Sequence, residues 1–172
     1  MKKSIVLTVL GEDHPGIVKS LSDVVARHGG NWTHSSMSSL AGQFAGILLA
    51  TVPADQAAAC ITGLQELTSD GLNVTAHESS TAAAGGEMQE FAMDLVGHDH
   101  PGIVLDITRV LTNHGVNVQE LETKVESASM AGGNLFRAHA MLLAPKSLDL
   151  MELEQELEDI ANELMVEIRF EN

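Results

Sequence analysis

Eight residues with the chemistry to hold a small charged molecule occur twice in this chain. Gly11-Glu12-Asp13-His14-Pro15-Gly16-Ile17-Val18 returns 86 positions later as Gly97-His98-Asp99-His100-Pro101-Gly102-Ile103-Val104, with seven of the eight residues identical. Asp13 and Asp99 can accept a charge-assisted hydrogen bond from an ammonium group. His14 and His100 beside them offer ring nitrogens that donate or accept. Gly16 and Gly102 lack a β-carbon, which lets a ligand approach the backbone closely. Ile17 and Ile103 then open an apolar helical stripe. The amides at such a helix start are unpaired and lie at the positive end of the dipole, a seat for a carboxylate. Asn31 and Asn117, related by the same offset, add a donor and an acceptor at the start of the following strand. Together these residues suit both ends of a zwitterion.

Each has a plainer role as well. Asp-His-Pro-Gly is a good turn and helix start, with Asp13 or His14 as cap and Pro15 in the first turn. Asn31 and Asn117 follow a glycine segment and can simply stabilise a turn. The functional reading gains from the octet having stayed nearly intact while its surroundings differ between the copies.

The elements around the loops follow from periodicity. Ile5, Leu7 and Val9 alternate, which predicts a strand over 4–10. Ile17, Val18, Leu21, Val24, Val25 and His28 recur at helical spacing from Pro15, and Gly29-Gly30 ends that helix. Strands over 31–40 and 43–52 turn at Ala41-Gly42. Pro53 marks a second helix, striped by Ala57, Cys60, Ile61, Leu64 and Leu67, before Leu72, Val74 and Ala76 alternate.

The second copy reads the same way. Its strand carries Phe91, Met93 and Leu95, and its first helix runs from Ile103 to His114. The hairpin spans 116–126 and 134–143, with about six extra residues near 128–133. Leu150, Leu153, Leu157, Ile160, Ala161 and Leu164 stripe the last helix before Val166, Ile168 and Phe170. The expected domains are 1–78 and 87–172, joined by a small-residue linker over 79–86. The order β-α-β-β-α-β makes each an α+β, ferredoxin-like unit: an antiparallel sheet with two helices on one face.

Composition removes several function classes. The formal charge is −15, and the nine Lys and Arg are scattered, so no cation cluster suits phosphates and direct nucleic-acid binding is not expected. Cys60 stands alone, which leaves no disulfide and no cysteine zinc site. His98-Asp99-His100 lacks a third and fourth metal ligand, so no metal or cofactor is implied. No signal peptide or long apolar span is read, so the chain is expected in the cytoplasm and off the membrane. The serines Ser35, Ser36, Ser38 and Ser39 lie on a strand without a nucleophile's turn, and an enzyme is not expected. The acidic run Glu152, Glu154, Glu156, Glu158, Asp159 and Glu163 reads as a solvated helix face, or one that attracts a basic partner. His28 and His114, in the last helical turn, are read as complements to the helix C-terminus.

Strand, Gly-x-Asp-His-Pro-Gly-Ile-Val, amphipathic helix, His-Gly, then Asn and a strand: this pattern resembles the ACT domain, a small regulatory module that binds amino acids. Two copies and little else resemble the glycine cleavage system transcriptional repressor group within that family. The resemblance implies an amino-acid ligand, glycine or serine among the candidates, held where the loop of one domain meets a strand of its neighbour. It also implies control of transcription through a protein partner such as a DNA-binding activator. The alternative is a detached regulatory subunit of an amino-acid metabolic enzyme. Ferredoxin-like sheets leave open edge strands, so a homodimer is expected.

Overall fold

The computed structural model describes residues 1–79, 86–127 and 132–171. They fall into two compact units that divide between positions 83 and 84. The expected linker lies outside the described residues except for Ser79 and Gly86, as do 128–131 of the hairpin insertion.

The first unit runs β1 (Lys2–Glu12), α1 (Ile17–Arg27), β2 (Asn31–Leu40), β3 (Gln43–Pro53), α2 (Ala57–Glu66), a 3-10 turn (Leu67–Asp70) and β4 (Asn73–Ser79). The second repeats the plan with β5 (Met88–His98), α3 (Ile103–Asn113), β6 (Asn117–Ser127), β7 (Asn134–Pro145), α4 (Leu150–Leu164) and β8 (Val166–Glu171). The sheet orders are β2-β3-β1-β4 and β6-β7-β5-β8, every pairing antiparallel. These are two βαββαβ ferredoxin-like units.

The expected alternation sets the core. Ile5, Leu7 and Val9 stand opposite Ala50, Leu48 and Gly46, and this face packs on Leu21, Val25 and Leu64 of the helices. In the second unit Phe91, Met93 and Leu95 meet Ile107, Leu111, Leu153 and Leu157. At the tip of the first hairpin, Ala41 (φ 50°) and Gly42 (φ 79°) both adopt left-handed backbone, the turn that matches strand twist. α1 closes with Gly29 at φ 64°, its amide on Ala26 O and the Gly30 amide on Val25 O, and α3 closes identically at Gly115.

Two helix starts differ from expectation. α1 begins at Ile17, not Pro15: Pro15-Gly16 forms a turn, Gly16 is the N-cap at φ 104°, and neither Asp13 nor His14 caps the helix. Pro53 does not open α2 but ends β3, where the ladder runs on to pair Pro53 with Lys2. Its carbonyl accepts from the Gln56 amide, and the helix follows at Ala57.

The sheet faces turned from the helices differ sharply. In the first unit the register places Val6, Thr8, Ile47, Leu49, Ser36 and Thr75 together. In the second, Asp94 stands opposite His139, joined at 2.8 Å, with Glu122 in the same row. The hydrogen bond to Asp94 raises the His139 pKa, the fields of Asp94, Glu122 and Glu171 add to it, and desolvation opposes. A raised histidine pKa means that the pair stabilises fully below the unfolded value of about 6.5 and loses this as pH rises through the folded value. An NMR titration is expected to place the His139 midpoint above 6.5, and Asp94→Asn to bring it down. A midpoint indifferent to Asp94→Asn would contradict the assignment.

Candidate functional site

Each repeated loop leaves the end of a central strand and is fastened to the tip of the neighbouring hairpin. Glu12 pairs with Gln43 on the last rung of β1 and β3, and the Asp13 amide donates to Gly42 O at 2.9 Å. In the second unit His98 pairs with Leu135, and the Asp99 amide donates to Asn134 O at 2.9 Å. The two hairpin tips, which differ in sequence, thus hold the loops in the same way.

Gly16 and Gly102 share a left-handed backbone, φ 104° and 101°. A β-carbon at Gly16 would meet nothing within 4 Å, and one at Gly102 only Asp106 Oδ2 at 3.6 Å. Backbone conformation, rather than crowding, requires glycine here. The space beside Gly16 is open, whereas the Asp106 carboxylate stands beside Gly102. The first turn of α1 holds no carboxylate, whereas α3 carries Asp106, which faces Arg109 at 3.5 Å.

The two aspartates differ in their neighbours. Ser39 Oγ donates to Asp13 Oδ2 at 2.6 Å, so a hydroxyl orients the first carboxylate. The corresponding residue of the second copy is Val125, which has none. His14 Nδ1 lies 3.1 Å from Pro15 O, and His100 Nδ1 lies 3.2 Å from Pro101 O. His100 Nε2 also reaches Leu164 O at 3.2 Å, tying the second loop to the end of α4. A neutral ring donates to one of those two carbonyls at a time.

The remaining sequence candidates stand elsewhere. Ile17 and Ile103 are buried in their cores and anchor the helices. Asn31 pairs with Thr51, in the row of Ser4, while the first loop leaves at Glu12. Eight residues of strand, roughly 26 Å, separate the two ends. Asn117 is likewise in the row of Glu90, eight residues before His98. Neither unit by itself brings its asparagine to its own loop. His28 Nδ1 contacts Gln56 Oε1 at 3.3 Å and His114 Nε2 contacts Glu156 Oε2 at 2.6 Å. These histidines therefore join the first helix of each unit to the segment of the second, a contact that sequence spacing did not reveal. Ser39, one of four serines on its strand, also belongs beside the loop. Its position two residues before the Ala41-Gly42 turn, facing Phe44, is the signal that puts it beside the loop.

Among the described residues no group of three or more His, Cys, Asp or Glu side chains could hold a metal ion. Among them no helix is long and apolar enough to cross a membrane.

Comparison with known proteins gives a consistent picture. The family model of the ACT domain matches residues 3–76 and again 91–171. A solved structure described as an unknown protein from Galdieria sulphuraria is similar at 30% identity and TM-score 0.87, covering 99% of this chain and 98% of that one. Another, described as a "putative glycine cleavage system transcriptional repressor", is similar in fold at 18% identity and TM-score 0.67, covering 100% and 99%. A search of curated proteins found no significant match.

Proposed function

The chain belongs to the ACT domain family, and from that premise we propose that it is an amino-acid-sensing regulator that works through protein contacts. The observation that carries this reading is the loop held alike in both units, an aspartate fastened to a hairpin tip and a left-handed glycine, with a helix start free of carboxylates in the first unit. The aspartate suits an ammonium group and the helix amides suit a carboxylate, which is the pair of charges an amino acid presents. A net charge of −15 with scattered cations disfavours direct contact with DNA and favours a protein intermediary. A repressor role of the glycine cleavage type draws on the fold likeness and the tandem arrangement, and puts glycine and serine first among ligands for the first loop.

Calorimetry against glycine, serine and the other common amino acids tests the reading. Binding is expected, and Asp13→Asn should weaken occupancy of the first loop about 10- to 100-fold, the weight of a hydrogen bond to a charged group. Silence from every amino acid would remove the proposal. Affinity capture from lysate with and without glycine then identifies the partner. A DNA-binding activator supports the repressor role, and a metabolic enzyme alone would replace it with that of a regulatory subunit.

A further inference from the structure

The edge strand β6 of the second unit has two unlike faces. On its core side Val118, Leu121, Thr123 and Val125 stand opposite Leu142, Ala140, Ala138 and Phe136. A bulge between Val118 and Glu120 brings Val118 and Leu121 to that same side. α3 does not cover this row fully: Leu121 and Val125 are 46% and 49% exposed, and Val104 on the helix is 40% exposed. Between helix and strand lies an apolar cavity of ≈ 30 Å³, walled by Ile103, Val104, Ile107, Val118, Leu121 and Phe136. An apolar groove therefore runs along the inner flank of the edge.

The other row is acidic. Glu120, Glu122, Lys124 and Glu126 stand opposite Met141, His139, Arg137 and Leu135. Glu126 engages both cations, Lys124 and Arg137, in ion pairs. Among the described residues Glu120 and Glu122 are left without an ion-pair partner. β6 stands at the end of its sheet order, bonded to β7 on one side, so its outer backbone groups face away from the sheet. Charges on such an edge select what can pair with it. Two β6 edges brought together would crowd carboxylates, in a chain whose formal charge is already −15. A strand with Lys or Arg on that side would instead supply the missing partners of Glu120 and Glu122.

We propose that β6 is the docking edge for an extended basic segment of a partner protein. The segment adds to the sheet as a further strand, with alternate aliphatic residues in the groove beside α3 and Lys or Arg facing Glu120 and Glu122. The inference deepens the reading that this chain works through protein contacts and rests on it. Three features of one strand converge on this occupant. Its free backbone side supplies main-chain hydrogen bonds, the groove takes every second side chain, and the acidic row fixes the charge of the residues between. A segment with a period of two is the pattern that meets all of them, because side chains of an added strand alternate between the same two faces. A helix laid in the groove would bury the apolar row but leave the backbone edge unpaired.

NMR titration of the full chain with a blocked peptide of alternating valine and arginine, matched to the 11 residues of β6, tests this. A peptide of the same composition, with its valines grouped in one block, is the control. The alternating peptide is expected to bind more tightly than the control, to shift β6 amides and the methyls of Val104 and Leu121, and to slow exchange of those amides. Glu120→Lys with Glu122→Lys, both at exposed positions, should weaken it about tenfold, as two opposite-charge pairs across strands become like-charge pairs. Equal binding of the two peptides would mean attraction by charge alone and would overturn the proposal, as would shifts confined to the acidic face of α4. Sedimentation showing a dimer whose β6 amides are already protected without peptide would give the edge to a second copy and overturn it too. Absence of binding by either peptide would remove the docking edge, while a partner captured from lysate would still support regulation through protein contacts at another surface.

Discussion

Replacing Gly97 with alanine is expected to destabilise the second unit by about 3 kcal/mol, as overpacking against unyielding atoms does. A β-carbon there would lie 2.3 Å from Val166 Cγ1 and 2.8 Å from Val166 Cα. Val166 is the direct partner of Gly97 across β5 and β8, so the second clash is with backbone and cannot be relieved by a rotamer change. The strand itself must shift. Gly11→Ala in the first copy should cost less, about 1–2 kcal/mol, because the nearest atom is the end of the Leu72 side chain at 2.8 Å and the nearest backbone atom, Gly71 O, is 3.1 Å away. Urea unfolding followed by NMR signals from each unit would separate the two losses. Equal losses, or none at Gly97, would refute this account. The consequence reaches the site: the first glycine of the repeated octet is closely approached by neighbouring chain in both copies, Gly71 and Leu72 in the first and Val166 in the second, so its presence needs no ligand. The identity of the octet therefore has two causes, sheet packing at its start and a left-handed helix entry at Gly16 and Gly102.

The fold was legible because its signals are local. Alternation at Ile5, Leu7 and Val9 and helical spacing from Ile17 to Val25 act within one element, and the Ala41-Gly42 turn fell where expected. Proline was the less reliable marker. Pro15 precedes a turn residue and Pro53 completes a strand, since the missing N–H is tolerated in either setting. The site was legible only in its linear part. Asp13, His14 and Gly16 are neighbours in sequence and remain so in space. Asn31 follows the helix and is carried by its length to the other end of the sheet. Ser39 reaches Asp13 across 26 positions, a relation fixed by strand register and invisible to spacing. The contrast between the cores was hidden for the same reason: exchange of bulk between Ser35–Leu48 and Leu121–Ala140 appears only when the rungs are paired.

That exchange makes the largest core effect predictable. Leu48→Ala should cost the first unit about 3–4 kcal/mol, within the range for a buried leucine whose surroundings cannot collapse. Leu48 is fully buried, and it faces Ser35, so deletion leaves two small residues on one rung with nothing to fall into the gap. Adding Ser35→Leu recreates the rim-bulky arrangement of Leu121 and Ala140. It should recover only about 1 kcal/mol, because a leucine at that edge stays nearly half exposed, as Leu121 does at 46%, and removes less surface from water. The indole N–H of Trp32, which donates to Ser35 Oγ at 3.1 Å, would also lose its partner. Chemical denaturation of the single and double variants measures both terms. Full recovery in the double variant would mean that bulk at rim and centre is interchangeable, and the different interiors of the two copies would then carry no energetic cost. Partial recovery means that bulk at the rim of the sheet stabilises less than the same bulk at its centre.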